Sequence, residues 1–253
     1  MKYIFVNLKR FDVPKAAGGV NSLAPMKDWA KTIIDGCKDV RKFDGVQTTF
    51  FFPEAHILSA VNSGGLAIGC QGVHTEDFNP NFGAFTTYRP AVAMRELGCE
   101  WAIIGHCEER KTKSNEELNL AVKCAINAGL KVLYCIGEKT EEQPQIREVL
   151  ETQIKIGLDG VDTSDICIAY EPVWAIGPGK TPPDRDYIVM ASELIKSIID
   201  VPVIYGGGLK EENAAMLASV PSVDGGLIAL TRFSGDIGFY PDEFLKIAEE
   251  YTR

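Results

Sequence analysis

Eight short apolar runs recur along this 253-residue chain, and they constrain its fold more than any other feature. They are Tyr3–Leu8, Val46–Phe52, Leu66–Gln71, Trp101–Gly105, Leu130–Ile136, Ile166–Tyr170, Val201–Tyr205 and Val223–Ala229. Each is continuous rather than alternating, and each is bounded by Gly, Pro, Asn or Asp. A strand with one wet face alternates polar and apolar side chains, whereas a strand covered on both faces does not. Runs of this kind predict parallel strands buried on both sides.

Helical spacing fills intervals between them. Asn115–Ala128 places Leu118, Val122, Ala125 and Ile126 on one face, with Gly129 as a C-terminal stop. Ile188–Ile199 places Ile188, Ala191, Leu194, Ile195 and Ile198 on one face; Asn213–Ala218 is short and Ala-rich, and Glu243–Tyr251 closes the chain. Eight strand–helix units at a repeat of roughly thirty residues predict a (βα)8 barrel. An open doubly wound sheet calls for a G-x-G-x-x-G turn after the first strand, and that strand ends Asn7-Leu8-Lys9 instead. No Ser/Gly-rich linker or charge block divides the chain, so residues 1–253 read as one barrel domain.

The composition narrows the function. A formal net charge of -9 disfavours nucleic acid, which needs clustered Lys and Arg, but leaves room for a small anion held by a few local donors. No segment approaches the roughly 18 apolar residues that span a bilayer, and the N-terminal run is too short for a signal peptide. Seven cysteines without a CxxC fit reduced, mostly buried thiols in a cytoplasmic protein. His56, His74 and His106 show no metal-ligand spacing, so neither metal nor cofactor is expected.

In such a barrel the chemistry sits where the strands end. Strand one ends with Asn7 and Lys9, strand three with Gln71, and strand four with Gly105-His106-Cys107-Glu108. Strand five ends with Gly137-Glu138, strand six with Glu171, and strand seven with Gly206-Gly207-Gly208. Singly, His106 reads as a structural histidine, Glu171-Pro172 as the start of a turn and Lys9 as a surface cation. Placed at one mouth they supply donors, a proton shuttle and a carboxylate base, the set needed to remove a proton beside a carbonyl. The three glycines expose backbone N–H groups that suit a phosphate.

These residues, in this order, resemble the triosephosphate isomerase (TIM) family through nearly the whole chain. The most specific match is Ala169-Tyr170-Glu171-Pro172-Val173-Trp174-Ala175-Ile176-Gly177-Pro178-Gly179-Lys180. Asn7-x-Lys9, Gln71 with Gly83-Ala84-Phe85-Thr86, Ile103-Ile104-Gly105-His106, Cys135-Ile136-Gly137-Glu138, Tyr205-Gly206-Gly207 and Asp224-Gly225 support it. The resemblance implies a TIM barrel acting on a small phosphorylated sugar, in glycolysis and gluconeogenesis. It implies Glu171 as base, His106 as neutral electrophile, Lys9 as counter-charge, Asn7 as orienting group and Glu108 as the residue that holds Lys9. It also implies that Pro172–Lys180 is a mobile lid, and that a homodimer forms through the loop around Thr86.

The chain departs from the family's pattern at the phosphate. Gly208 stands where the family has Ser, Cys107 replaces another Ser, and a Gly-Gly pair after strand eight is replaced by Ala229-Leu230. Ser234–Tyr240 reads as an insertion, as do Phe78-Asn79-Pro80-Asn81 in the third loop. One expectation is that Gly177 and Gly208, with Thr231 or Arg232, still hold a phosphate. A second is that the altered site takes a four-carbon ketose phosphate, and a third is a silent binding paralogue. Tyr88 in the third loop and Glu109 just after strand four occupy positions that pair across the family's dimer, so an Arg89–Glu109 pair between subunits is expected.

Overall fold

A computed structural model describes residues 2–76, 86–177 and 179–253 of the chain. All eight apolar runs form strands: β1 Lys2–Asn7, β2 Val46–Phe52, β3 Ala67–Cys70, β4 Trp101–Ile104, β5 Lys131–Ile136, β6 Ile166–Tyr170, β7 Val203–Tyr205 and β8 Gly225–Ile228. Every pairing is parallel and in sequence order, and β8 closes on β1 from Tyr3↔Gly225 to Val6↔Ile228. Each strand is followed by a helix: α1 Met26–Cys37, α2 Glu54–Ser63, α3 Ala91–Glu96, α4 Asn115–Asn127, α5 Ile146–Gly157, α6 Arg185–Ile198, α7 Glu211–Ala218 and α8 Pro241–Thr252. The fold is a single (βα)8 TIM barrel.

The unbroken apolar runs follow from two cores, one on each face of the sheet. Phe5, Phe51, Trp101, Ile103, Leu133, Ala169, Ile204 and Leu227 fill the barrel. Ile4, Val6, Phe50, Phe52, Ile104 and Ile168 point the other way and pack beneath the helices. Neighbouring residues of one strand therefore serve opposite cores, and neither set can be polar.

Several elements differ in extent from the sequence expectation. Leu8, Val201 and Val223 are buried but lie outside the ladder, because they pack from the turns at the barrel's two ends. Gln71 lies past β3, Gly105 past β4 and Ala229 past β8. Asp184 accepts a hydrogen bond from the Tyr187 N–H at 2.9 Å, so α6 begins at Arg185 rather than Ile188. Pro241 opens α8, where a missing N–H costs nothing, ahead of the expected Glu243. Helices α1, α2, α3 and α5 complete the four that periodicity singled out. All seven cysteines are free, and among the described residues no helix is long and apolar enough to cross a membrane.

Candidate active site

A cavity of about 450 Å³ opens where the strands end. Asn7, Lys9, His106, Glu171, Gly177, Gly208, Ala229 and Leu230 all line it, so the barrel brings together residues up to 223 positions apart. Glu108 is not on the lining and reaches the cavity through Lys9, whose Nζ lies 2.8 Å from its Oε1. Partial burial opposes ionisation of Glu108, yet the hydrogen bond and charge of Lys9 hold its carboxyl below the usual range.

Lys9 is the one non-glycine residue with positive φ, 40°, among the described residues. Such a conformation costs of order 1–3 kcal/mol and persists only where surroundings enforce it. Here Asn7 Oδ1 accepts from the Lys9 N–H at 3.1 Å, and Gln71 Nε2 donates to the Lys9 carbonyl at 3.0 Å. The same Nε2 lies 3.2 Å from Asn7 Oδ1, which fixes the Asn7 amide.

Glu171 follows β6 and is buried against the end of β4. The Cys107 N–H donates to its Oε2 at 2.8 Å, and His106 Nε2 lies 3.2 Å from its Oε1. Two glycines make the space: a side chain on Gly137 would collide with the Glu171 carbonyl, and one on Gly206 would stand 2.8 Å from Glu171 Cγ. Burial pushes the Glu171 carboxyl up to about 7, against the opposing pull of the Cys107 N–H and Lys9. Burial and then the Lys9 charge push the His106 imidazole the other way, down to about 4. The Glu108 N–H donates to His106 Nδ1 at 3.3 Å, which assigns the proton of the neutral ring to Nε2.

Glu138 anchors the segment after Glu171. Its carboxylate is fully buried and accepts from Trp174 Nε1 at 2.6 Å, Tyr187 OH at 2.9 Å and Tyr170 OH at 3.0 Å. Trp174 is thereby tied to the ends of β5 and β6, while Gly177, Gly179 and Lys180 reach over the cavity. Residue 178 lies outside the described residues.

Comparison with known proteins identifies the family. The family model described as triosephosphate isomerase matches residues 21–250. A triosephosphate isomerase of Prosthecochloris aestuarii is 37% identical over 82% of this chain and 86% of its own. One of Syntrophotalea carbinolica is 32% identical over 83% of this chain and 86% of its own. The crystal structure of triosephosphate isomerase from Bartonella henselae superposes with a TM-score of 0.77 at 25% identity, covering 100% of this chain and 99% of the other. This chain belongs to the triosephosphate isomerase family. It is therefore an enzyme of the intramolecular oxidoreductase class.

As a member of that family, the chain is built differently at the end of β8. Arg232, expected as a phosphate donor, does not line the cavity. Its guanidinium pairs with Glu243 at 2.6 Å and lies 3.8 Å over the Tyr240 ring, so both its charge and its flat face are taken. Thr231 gives its hydroxyl to the same carboxylate at 2.9 Å. Residues 231–238 fold back through paired backbone hydrogen bonds between Arg232 and Gly238. Asp236 in that loop pairs with Lys15 and accepts from Tyr240 OH at 2.8 Å. The fold-back brings Phe233 and Ile237 to the cavity wall beside Lys210. Sequence reasoning missed all three, because none belongs to a family motif.

Glu109 accepts from Lys113 Nζ and the Gly105 N–H, each at 2.7 Å, within its own chain. Arg89 Nη2 and Glu109 Oε1 stand 3.7 and 3.8 Å from the point a side chain on Gly72 would occupy, so both groups border that glycine. The motif residues 83–85 and the insertion 78–81 lie outside the described residues.

His106, Cys107 and Glu171 offer ligand atoms within 4.8 Å of one another, a group that spacing in sequence could not reveal. A metal bound there would have to displace the Cys107 proton, whose pKa burial and then Glu171 push up to about 12. His56 has a structural role instead, with Nε2 3.1 Å from the buried Asp12 carboxylate.

Proposed function

We propose that this enzyme interconverts glyceraldehyde 3-phosphate and dihydroxyacetone phosphate through an enediolate, with Glu171 as base and His106 as electrophile. The observation that carries the reading is the placement of a buried carboxylate 3.2 Å from an imidazole at one cavity wall, with burial pushing the carboxyl up to about 7 and the imidazole down to about 4. A carboxylate of that basicity takes a carbon-bound proton better than an ordinary one and is still ionised near neutral pH. An imidazole lowered so far stays neutral and donates through Nε2. This division of roles is the established one for the family, and the geometry here has the parts to perform it.

In the forward direction Glu171 takes the proton from C2. The C–H electron pair becomes the C1=C2 double bond, and charge passes to the C1 oxygen, which His106 Nε2–H protonates. The ring recovers its proton from the neighbouring hydroxyl, and Glu171 returns its own to C1, leaving the carbonyl at C2. Lys9, held by Glu108, offsets the charge of substrate and enediolate, and Asn7 orients the site. The lid excludes water, which would otherwise admit loss of phosphate from the intermediate. A complete set of Asn7, Lys9, His106 and Glu171 around one cavity disfavours a silent paralogue.

A second reading, isomerisation of a four-carbon ketose phosphate, is favoured by the fold-back of residues 231–238, which replaces a glycine pair with a wall of Leu230, Phe233 and Ile237. Comparison of kcat/KM for glyceraldehyde 3-phosphate and four-carbon ketose phosphates, on wild type and Glu171→Asp, separates the two. Turnover of neither by wild type overturns the isomerase reading. We also propose a homodimer through the loop around Thr86, supported by the exposure of Tyr88 and Val92 beside it. Sedimentation showing only monomer at micromolar concentration would count against it.

A further inference from the structure

The phosphate end of the cavity has lost the family's serine and glycine pair, and a cation stands beside the gap. Gly208 has φ +97°, a left-handed conformation that a serine adopts only under strain. The point where a Cβ at Gly208 would stand is 3.9 Å from Lys210 Cε. The lysine stem thus runs beside the place from which a serine hydroxyl would project. Lys210 lines the same cavity as Glu171, His106, Gly177 and Leu230.

The ammonium group is placed to accept an anion. Lys210 Nζ lies 4.1 Å from the centroid of the Phe233 ring, an apolar face that holds a cation without neutralising it. Its nearest carboxylate partner is Glu212, at 3.7 Å and three-quarters exposed, a weak and screened pairing. Lys9, by contrast, is engaged by Glu108 at 2.8 Å, and Arg232 by Glu243 at 2.6 Å. The backbone of Lys210 is fixed, since its N–H donates to Asn213 Oδ1 at 2.8 Å at the start of α7.

We propose that Lys210 binds the phosphate end of the substrate, one ammonium group standing in for the serine hydroxyl and the glycine N–H pair. The inference rests on reading the cavity as a sugar-phosphate isomerase site. A lysine head brings three donors and a full charge on a flexible stem. The grip is therefore stronger in charge and looser in position than fixed backbone dipoles, and it tolerates a phosphate set further from the reacting carbons.

Steady-state kinetics of Lys210→Met, Lys210→Arg and Arg232→Ala, with inorganic phosphate as competitive inhibitor, test it. Lys210→Met should raise KM for glyceraldehyde 3-phosphate and weaken phosphate inhibition, each on the order of 10- to 100-fold. KM should change more than kcat, and turnover of unphosphorylated glyceraldehyde should fall less. Lys210→Arg should recover most of the phosphate inhibition, and Arg232→Ala should leave it unchanged. Wild-type phosphate inhibition in a folded Lys210→Met overturns the proposal, as does its loss in Arg232→Ala alone. If wild type isomerises no sugar phosphate, the isomerase reading fails separately. Calorimetric titration with inorganic phosphate then decides Lys210: heat lost in Lys210→Met supports the site, and equal heat overturns it.

Discussion

The two halves of the cavity are built on opposite plans. On the side proposed for proton transfer, Asn7, Lys9, His106 and Glu171 end a strand or stand within two residues of one, and each has a hydrogen-bond or ion-pair partner within 3.3 Å. On the side proposed for the phosphate, Leu230, Phe233, Ile237 and Lys210 stand on loops, with an aromatic face and an exposed carboxylate as the cation's neighbours. Bond-making chemistry fails when its groups shift by about 1 Å, whereas a charge on a flexible stem follows its ligand. The difference teaches that the strand-borne half resists change and the loop-borne half can be rebuilt.

Variants at the strand ends should show that intolerance first. Glu171→Gln should lower kcat on the order of 10²- to 10⁴-fold, the usual contribution of a general base; a loss under tenfold would assign the base elsewhere. Next, Gly206→Ala, whose Cβ would stand 2.7 Å from the Tyr170 carbonyl and 2.8 Å from Glu171 Cγ, should cost about 100-fold in kcat. A near-normal kcat there would mean the base is less tightly placed than its burial implies. The pH profile comes third. The base must be ionised, so kcat/KM should fall about tenfold per pH unit below about 7, with no second limb from His106 until about 4.

A stability measurement sharpens the same point. The folded pKa of Glu171, about 7, lies above its ordinary value of 4.5, so the folded protein holds more protons between those values and loses stability as pH rises through them. Glutamine carries no such penalty. Glu171→Gln should match wild type at pH 4 and exceed it at pH 8 by about 3 kcal/mol in denaturant unfolding. Equal stability at both pH values would show that the carboxyl is not held against its charge. The smallest effect belongs to the proposed lid: Trp174→Phe, which removes the 2.6 Å bond to Glu138, should lower kcat/KM by about tenfold. An unchanged kcat/KM would mean that the bond serves stability alone.

Legibility in the sequence divides along the same line. Asn7, Lys9, His106 and Glu171 were readable because a barrel places strand ends at one mouth, and because the residues around them match a family motif. Arg232 was misread for a physical reason: a guanidinium suits phosphate, but Glu243, eleven positions on, takes it first. Lys210 carried no signal, being an ordinary helix-start residue until the fold-back of 231–238 sets Phe233 beside it. Glu109 shows the same local competition, since Lys113 and the Gly105 N–H already engage its carboxylate within the chain.

The sequence alone determined the barrel and which polar residues stand at its mouth, because period and strand order are local properties that the closed sheet converts into position. Only the tertiary structure decided the burial of Glu171 and His106 and which cations face the cavity. Burial and charge neighbours are sums over residues far apart in the chain. No run of letters around Glu171 records that it is sealed by Gly137 and Gly206 and bonded by the Cys107 N–H.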